Sequence, residues 1–301
     1  MGITFLEGGE AMKIGFIGAG KVGFSLGRYF CEKGLEVSGY YSRSLDSAQK
    51  AAEFTQTHRF KKLKDIVAKS DTLFITTPDD EIGEVWDYIR QLPIENKIIC
   101  HCSGSLASTV FSDIESCKAY GYSIHPLYAI SSKEESYKQL GKAYFTLEGS
   151  KEKIQQVEIL LKQLGNPYQI ILSEYKALYH LAAVTVSNQV IALMKQGIQF
   201  LEQCGFEKDM ALEALGPLIQ GNIGAVYDKG TIKALTGPME RGDLGTITKH
   251  LDILEGYDKI LYCLLSLKLL SMAEVKNPHQ DYDVLKQLLE ADISEKYSVN
   301  F

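Results

Sequence analysis

Lys176 and His180 stand four positions apart, the spacing that puts two side chains on one face of a helix. Both residue types handle protons near neutral pH. Lysine carries charge and proton together and loses pKa readily in a desolvated cleft, while imidazole titrates close to neutrality unaided. Either can protonate a developing alkoxide. The same pair also fits an ordinary helix-start lysine beside a hydrogen-bonded core histidine. Asn188 lies two to three turns further along the same periodic run and adds an amide to the stripe. A second cluster falls in Ala234–Asp243, a polar, glycine-rich interruption of helical patterning. There Arg241 can clamp a carboxylate in a bidentate pair, Thr236 can add a hydroxyl, and Asp243 can orient the guanidinium. A structural turn in which Arg241 and Asp243 merely pair is the alternative. His125, followed by Pro126 just past a short apolar run, can line the same cleft or cap a turn.

A proton donor and an anion clamp suit carbonyl reduction once a hydride source is at hand. Gly18-Ala19-Gly20-Lys21-Val22-Gly23 supplies the means to hold one. It follows an apolar strand pattern and opens a helical one, the context that gives this glycine spacing its meaning. Gly18 permits the tight turn, Gly20 lets backbone approach a pyrophosphate, and Gly23 allows close helix packing, with Lys21 and Val22 in the first helical turn. At the end of the second strand pattern, where sites selecting NAD carry a carboxylate, the chain reads Ser42-Arg43-Ser44. A guanidinium flanked by hydroxyls binds a 2′-phosphate, so the expected cofactor is NADP(H). Thr77 and Pro78, past the end of another strand pattern, are expected beside the nicotinamide half.

These residues need a scaffold. Strand patterns at 13–17, 35–41, 72–76, 97–101, 122–124, 143–147 and 168–172 alternate with helical patterns at 22–33, 45–55, 63–69, 82–91 and 151–164. Such alternation predicts an α/β Rossmann domain, a doubly wound and mostly parallel sheet, over 12–173. From 174 to 301 only helical patterning remains, at about 174–204, 208–226, 244–275 and 280–291, broken at Gly205, Gly230 and Gly237-Pro238. The second domain is therefore expected to be all-helical, serving substrate binding and dimerisation.

Composition narrows the partners. A net charge of −6 disfavours nucleic acid and anionic membrane surfaces, which leaves small molecules. The six cysteines show no Cys-x-x-Cys pair, which predicts reduced thiols in the cytoplasm. Cys100 and Cys102 flank His101, but alternate strand residues face opposite ways and no second ligand cluster follows, so no metal is expected. Met1–Ala11 has neither the basic region nor the apolar core of a signal peptide and is expected to be a frayed leader. The apolar run 260–272 contains Lys268 and is too short to span a bilayer, which points to a buried or dimer-interface helix.

From about Met12 onward the chain resembles a bacterial family in which a Rossmann-like domain is joined to an uncharacterised helical domain. The resemblance rests on Gly18–Gly23, Thr77-Pro78-Asp79, His101-Cys102-Ser103-Gly104, Ile124-His125-Pro126-Leu127, Tyr179-His180 with Ser187-Asn188, and Leu235-Thr236-Gly237-Pro238 with Arg241-Gly242-Asp243. It implies kinship with ketopantoate reductase, pyrroline-5-carboxylate reductase and 6-phosphogluconate dehydrogenase, and places Ser103 among the substrate-binding residues. Lys176 matches the lysine that ketopantoate reductases carry on the first long helix of the helical domain, whereas His180 stands where they have asparagine. The resemblance implies an NADPH-dependent reductase of a small 2-oxo acid, ketopantoate foremost, working as a homodimer. Imine reduction and a non-catalytic NADP(H)-binding sensor or assembly subunit are the alternatives.

Overall fold

The computed structural model describes residues 12–297, and the expected leader Met1–Ala11 lies outside them. The chain forms two compact units, one reaching to Ile191 and one starting at Ala192.

In the first unit, β1 (Lys13–Ile17), β2 (Glu36–Tyr41), β3 (His58–Arg59), β4 (Thr72–Ile75), β5 (Ile98–His101), β6 (Tyr120–Leu127), β7 (Tyr144–Gly149) and β8 (Tyr168–Ile170) build one sheet. Their order is β3-β2-β1-β4-β5-β6-β7-β8, and every neighbouring pair is parallel except β6 with β7. Helices α1 (Lys21–Glu32), α2 (Leu45–Thr55), α3 (Leu63–Lys69), α4 (Asp79–Ile89) and α5 (Ile154–Leu164) connect the strands, and α6 (Lys176–Val186) follows the sheet. The expected doubly wound α/β domain is what forms.

Strands covered on both faces must be apolar on alternating residues in both directions, and these are. Phe16 and Phe74 point into one core with Phe30 and Tyr40, while Ile17, Leu73 and Ile75 point into the other with Trp86 and Phe111. Strand order reverses between β1 and β4, so the carboxyl ends of those strands leave the crevice in which such sheets hold ligands.

Three features escaped the sequence patterns. β3 is only two residues long and carries no period. β6 extends over eight residues and pairs antiparallel with β7, setting His125 opposite Thr146 and Ser123 opposite Glu148. The single helix expected over 174–204 is divided at Ser187, whose Oγ donates to the Ala183 carbonyl at 2.7 Å and bends the chain there. α7 (Asn188–Gln203) then resumes the helix.

The second unit contains α8 (Lys208–Lys229), α9 (Thr231–Ala234), α10 (Pro238–Arg241), α11 (Leu244–Ile253), α12 (Gly256–Lys276) and α13 (Asp283–Tyr297). All its described elements are helices, and at each of the expected breaks, Gly205, Gly230 and Gly237, the glycine takes a positive φ. The expected helix 244–275 is instead two, because Leu254 and Glu255 are extended before Gly256 turns the chain. Met239, Ile247, Leu251, Cys263, Leu270 and Leu289 form this unit's core. By length and composition, the helical stretch Ser173–Gln203 is long and apolar enough to cross a membrane, and none of its most apolar window is buried.

Candidate functional site

At the crevice between β1 and β4 a cleft of about 370 Å³ is lined by Gly18, Gly20, Ser42, Arg43, Thr77 and Pro78, all expected there, together with Leu63, Glu81, Glu84, Val85 and Tyr88. Gly18 has φ +110°, and a Cβ on it would fall 2.7 Å from the Thr76 carbonyl carbon. The turn therefore accepts only glycine. Gly23 brings α1 equally close to Thr76. Gly20 caps α1 with no side-chain hydrogen bond, so the first-turn amides of Lys21, Val22 and Gly23 have no capping acceptor. Those amides, at the positive end of the helix, suit a pyrophosphate. Thr77 Oγ1 is buried without a hydrogen-bond partner on the cleft wall, an acceptor and donor left for a ligand. Arg43 is mostly exposed and pairs with Glu81 from the first turn of α4. Ser44, expected to assist Arg43, instead caps α2 by accepting from the Ser47 amide at 3.2 Å.

A second polar cluster lies on the other side of Pro78. Asp79 opens α4 and accepts from Ser103 Oγ at 2.6 Å and Ser105 Oγ at 3.0 Å, fastening the loop after β5. The Ser103 carbonyl accepts from Lys176 Nζ at 2.9 Å, and the same ammonium reaches Ser123 Oγ at 2.8 Å. Lys176 is 2% exposed, although every other residue of the helix it begins is exposed or half-buried. Burial pulls its pKa down to about 8, opposed chiefly by the Glu148 carboxylate. At that value the group exchanges its proton near neutral pH.

Around it stand three rings. Tyr179 Oη lies 2.7 Å from His125 Nδ1, and the His180 ring packs edge-on to His125 at 6.5 Å between centroids. His180 Nδ1 is buried and has no partner. A Cβ on Gly104 would meet His180 Nδ1 at 2.6 Å and His125 Nε2 at 3.0 Å, so the absence of a side chain there is what lets both imidazoles approach the loop. Burial, then the charges of Lys176 and His180, lower the His125 pKa to about 4, and burial lowers His101 equally. Burial raises the Tyr179 phenol, against the pull of the Thr146 hydroxyl.

Lys176, His180, Ser103 and His125 thus come together as one cluster in the first unit. Asn188 is exposed at the start of α7 and accepts from Ser187 Oγ at 3.1 Å. Thr236, Arg241 and Asp243 lie in the second unit. Asp243 is taken up as the cap of α11, accepting from the Thr246 amide and hydroxyl at 3.1 and 2.8 Å, with Arg241 only at 4.0 Å. Sequence patterns did not single out Asp79, Ser123, Thr146 or Tyr179 for a role. Tyr179 adjoins His180 in sequence, a usable signal, but Ser123 and Thr146 enter through the antiparallel register of β6 and β7, which no local pattern encodes. Among the described residues, no group of three or more His, Cys, Asp or Glu is placed to hold a metal ion.

Residues 8–126 match the family model of the Rossmann-like domain, and residues 143–269 match that of a domain of unknown function, DUF2520. The second match begins at Ala143, just before β7, and so takes in the last strands of the sheet. No curated protein matches the sequence. Among solved structures, protein TM1727 from Thermotoga maritima is 26% identical with a TM-score of 0.68, over 88% of this chain and 99% of that one. A candidate NADP oxidoreductase from Bacteroides fragilis is 23% identical with a TM-score of 0.70, over 86% and 98%. A Plasmodium falciparum pyrroline carboxylate reductase with NADP bound shares the fold at 13% identity and a TM-score of 0.61, over 90% and 99%.

The two buried histidines carry a pH signature. Their pKa lies at about 4 in the folded chain and near the ordinary 6.5 when unfolded, so the unfolded chain binds more protons between those values. Stability is then full above about pH 6.5 and falls as pH drops toward 4, by on the order of 1–2 kcal/mol per histidine by pH 5. Chemical denaturation at pH 7 and pH 5 should show this decline, shallower in His125→Gln; identical profiles for the two proteins would contradict the buried neutral His125.

Proposed function

We propose that this protein is an NADPH-dependent reductase of a small 2-oxo acid, with ketopantoate (2-dehydropantoate) the first candidate. The observation that carries the proposal is one structural path. Pro78 lines the cleft at the carboxyl ends of β1 and β4, and the next residue, Asp79, holds the Ser103 loop on which Lys176 is buried. The cofactor, when bound, supplies the hydride for the carbonyl carbon. Arg43 and Ser42 hold its 2′-phosphate, the amides after Gly20 its pyrophosphate, and Thr77 Oγ1 a polar group further along. His180 offers its unpartnered Nδ1 to the substrate oxygen. Lys176, with a pKa of about 8, supplies the positive charge and the exchangeable proton of the cluster. Arg241, 61% exposed at the end of α10, offers a guanidinium that a carboxylate can pair with.

Imine reduction is the second reading. It is favoured by fold likeness to a reductive aminase from Aspergillus terreus, 15% identical with a TM-score of 0.60 over 95% of both chains. A non-catalytic NADP(H)-binding sensor or assembly subunit is the reading from another class. NADPH oxidation followed by absorbance over ketopantoate, other 2-oxo acids and cyclic imines separates the three. Ketopantoate turnover that falls about 100-fold or more in Lys176→Ala, with KM raised in Arg241→Ala, is the expected result. Imine turnover nearly intact in Lys176→Ala supports the second reading, and tight NADPH binding with no turnover supports the third.

The proposed enzyme is a cytoplasmic homodimer. Leu178, Leu181, Val186 and Ile191 along α6 and α7 are 64%, 53%, 75% and 66% exposed, a run of apolar surface that monomeric soluble proteins rarely leave bare. In the second unit Leu218 and Tyr227 of α8 are 62% and 88% exposed. Lys176 and His180, at the head of the same apolar stretch, are held in a polar cluster, which favours protein over lipid as its cover. Sedimentation equilibrium without detergent should give twice the mass of the chain at micromolar concentration. A monomer at all concentrations, or a protein soluble only in detergent, would contradict the dimer.

A further inference from the structure

Arg43 does not wait free in its cleft. Its guanidinium is bound to the carboxylate of Glu81, which comes from the first turn of α4 on the opposite wall. Glu84 lines the same cleft one turn further along α4 but has no ion pair to Arg43. Among the described residues the cleft is thus lined by one cationic side chain, Arg43, and two carboxylates, one of which holds it. A 2′-phosphate approaching Arg43 competes with Glu81 for the guanidinium and sits beside its negative charge, both of which oppose its binding. A ribose carrying a 2′-hydroxyl meets the reverse situation, because the Glu81 carboxylate can accept a hydrogen bond from that hydroxyl, as the carboxylate at the end of the second strand does in NAD-selecting sites.

We propose that Glu81 is a specificity-determining residue that tempers the choice between the two nicotinamide dinucleotides: through its pair with Arg43 it weakens the hold on a 2′-phosphate and provides an acceptor for a 2′-hydroxyl. This rests on the reading of the cleft as a dinucleotide site and deepens it. Arg43 alone would give strong selection for the phosphorylated form. Arg43 with Glu81 gives a cleft that takes both forms with a narrower margin.

The test is the ratio of Kd for NADH to Kd for NADPH, measured by fluorescence titration of the full-length protein, its Glu81→Gln variant and its Glu84→Gln variant. Glutamine keeps the shape of the side chain and removes its charge. The expected result is that Glu81→Gln raises the ratio by roughly three- to tenfold, as loss of a partly exposed charge contact allows, while Glu84→Gln raises it less. An unchanged or lowered ratio in Glu81→Gln overturns the inference while leaving the dinucleotide site intact. Equal effects of the two variants also overturn it, because the cause would then be the summed charge of the cleft and not the pair with Arg43. If the unmodified protein binds neither dinucleotide, the reading of the cleft itself fails, a result distinct from the other two.

Discussion

A primary ammonium buried to 2% exposure is costly unless its protons find acceptors, and much of the first unit's polar architecture can be traced to meeting that demand at Lys176. Two of its three donors go to the Ser103 carbonyl and to Ser123 Oγ. The first requires the loop after β5 to fold back over the strand ends, and Asp79 keeps it there through Ser103 and Ser105. The second requires a hydroxyl in the middle of β6, where an apolar residue would otherwise pack. Glu148, the antiparallel partner of Ser123, adds a buried carboxylate that is satisfied by the Ser108 amide and hydroxyl at 2.7 and 2.6 Å and offsets the cost of the buried charge.

The same arrangement shapes the histidines. Burial, and then the nearby ammonium, keep His125 neutral, which frees its Nδ1 to pair with the Tyr179 phenol while Nε2 faces Gly104. His180 Nδ1, like His101 Nε2 beneath the same loop, is a buried nitrogen without a partner. A cleft wall with the orphaned Thr77 hydroxyl, and a neighbouring cluster in which His180 Nδ1, His101 Nε2 and Thr146 Oγ1 are orphaned, are complementary to ligands with polar groups of their own.

Most of the fold was legible in the sequence because the strands β1, β4 and β5 are apolar in unbroken runs and the helices between them keep a clear period, so each local pattern agreed with the sheet it joined. The glycines after β1 were legible for the same reason: their spacing has meaning only between a strand and a helix, and both were visible. What stayed hidden depended on contacts remote in sequence. The pairing of His125 with Thr146 follows from an antiparallel register, the grip of Asp79 on Ser103 from loop packing, and the bond from Glu81 to Arg43 from two elements meeting across a cleft. Ser44, expected beside the 2′-phosphate, and Asp243, expected to orient Arg241, serve as helix caps, a use that serine and aspartate share with binding sites and that spacing alone does not separate.

The most direct measurement is a crystal structure of the protein grown with NADP⁺. The expected result is a dinucleotide lying across β1 and β4, with its pyrophosphate on the amides of Lys21 to Gly23, its 2′-phosphate on Arg43 in place of Glu81, and its nicotinamide end directed past Thr77 toward Ser103 and Lys176. A dinucleotide bound elsewhere, or a cleft that stays empty at saturating NADP⁺, would contradict the assignment on which the proposed reductase rests.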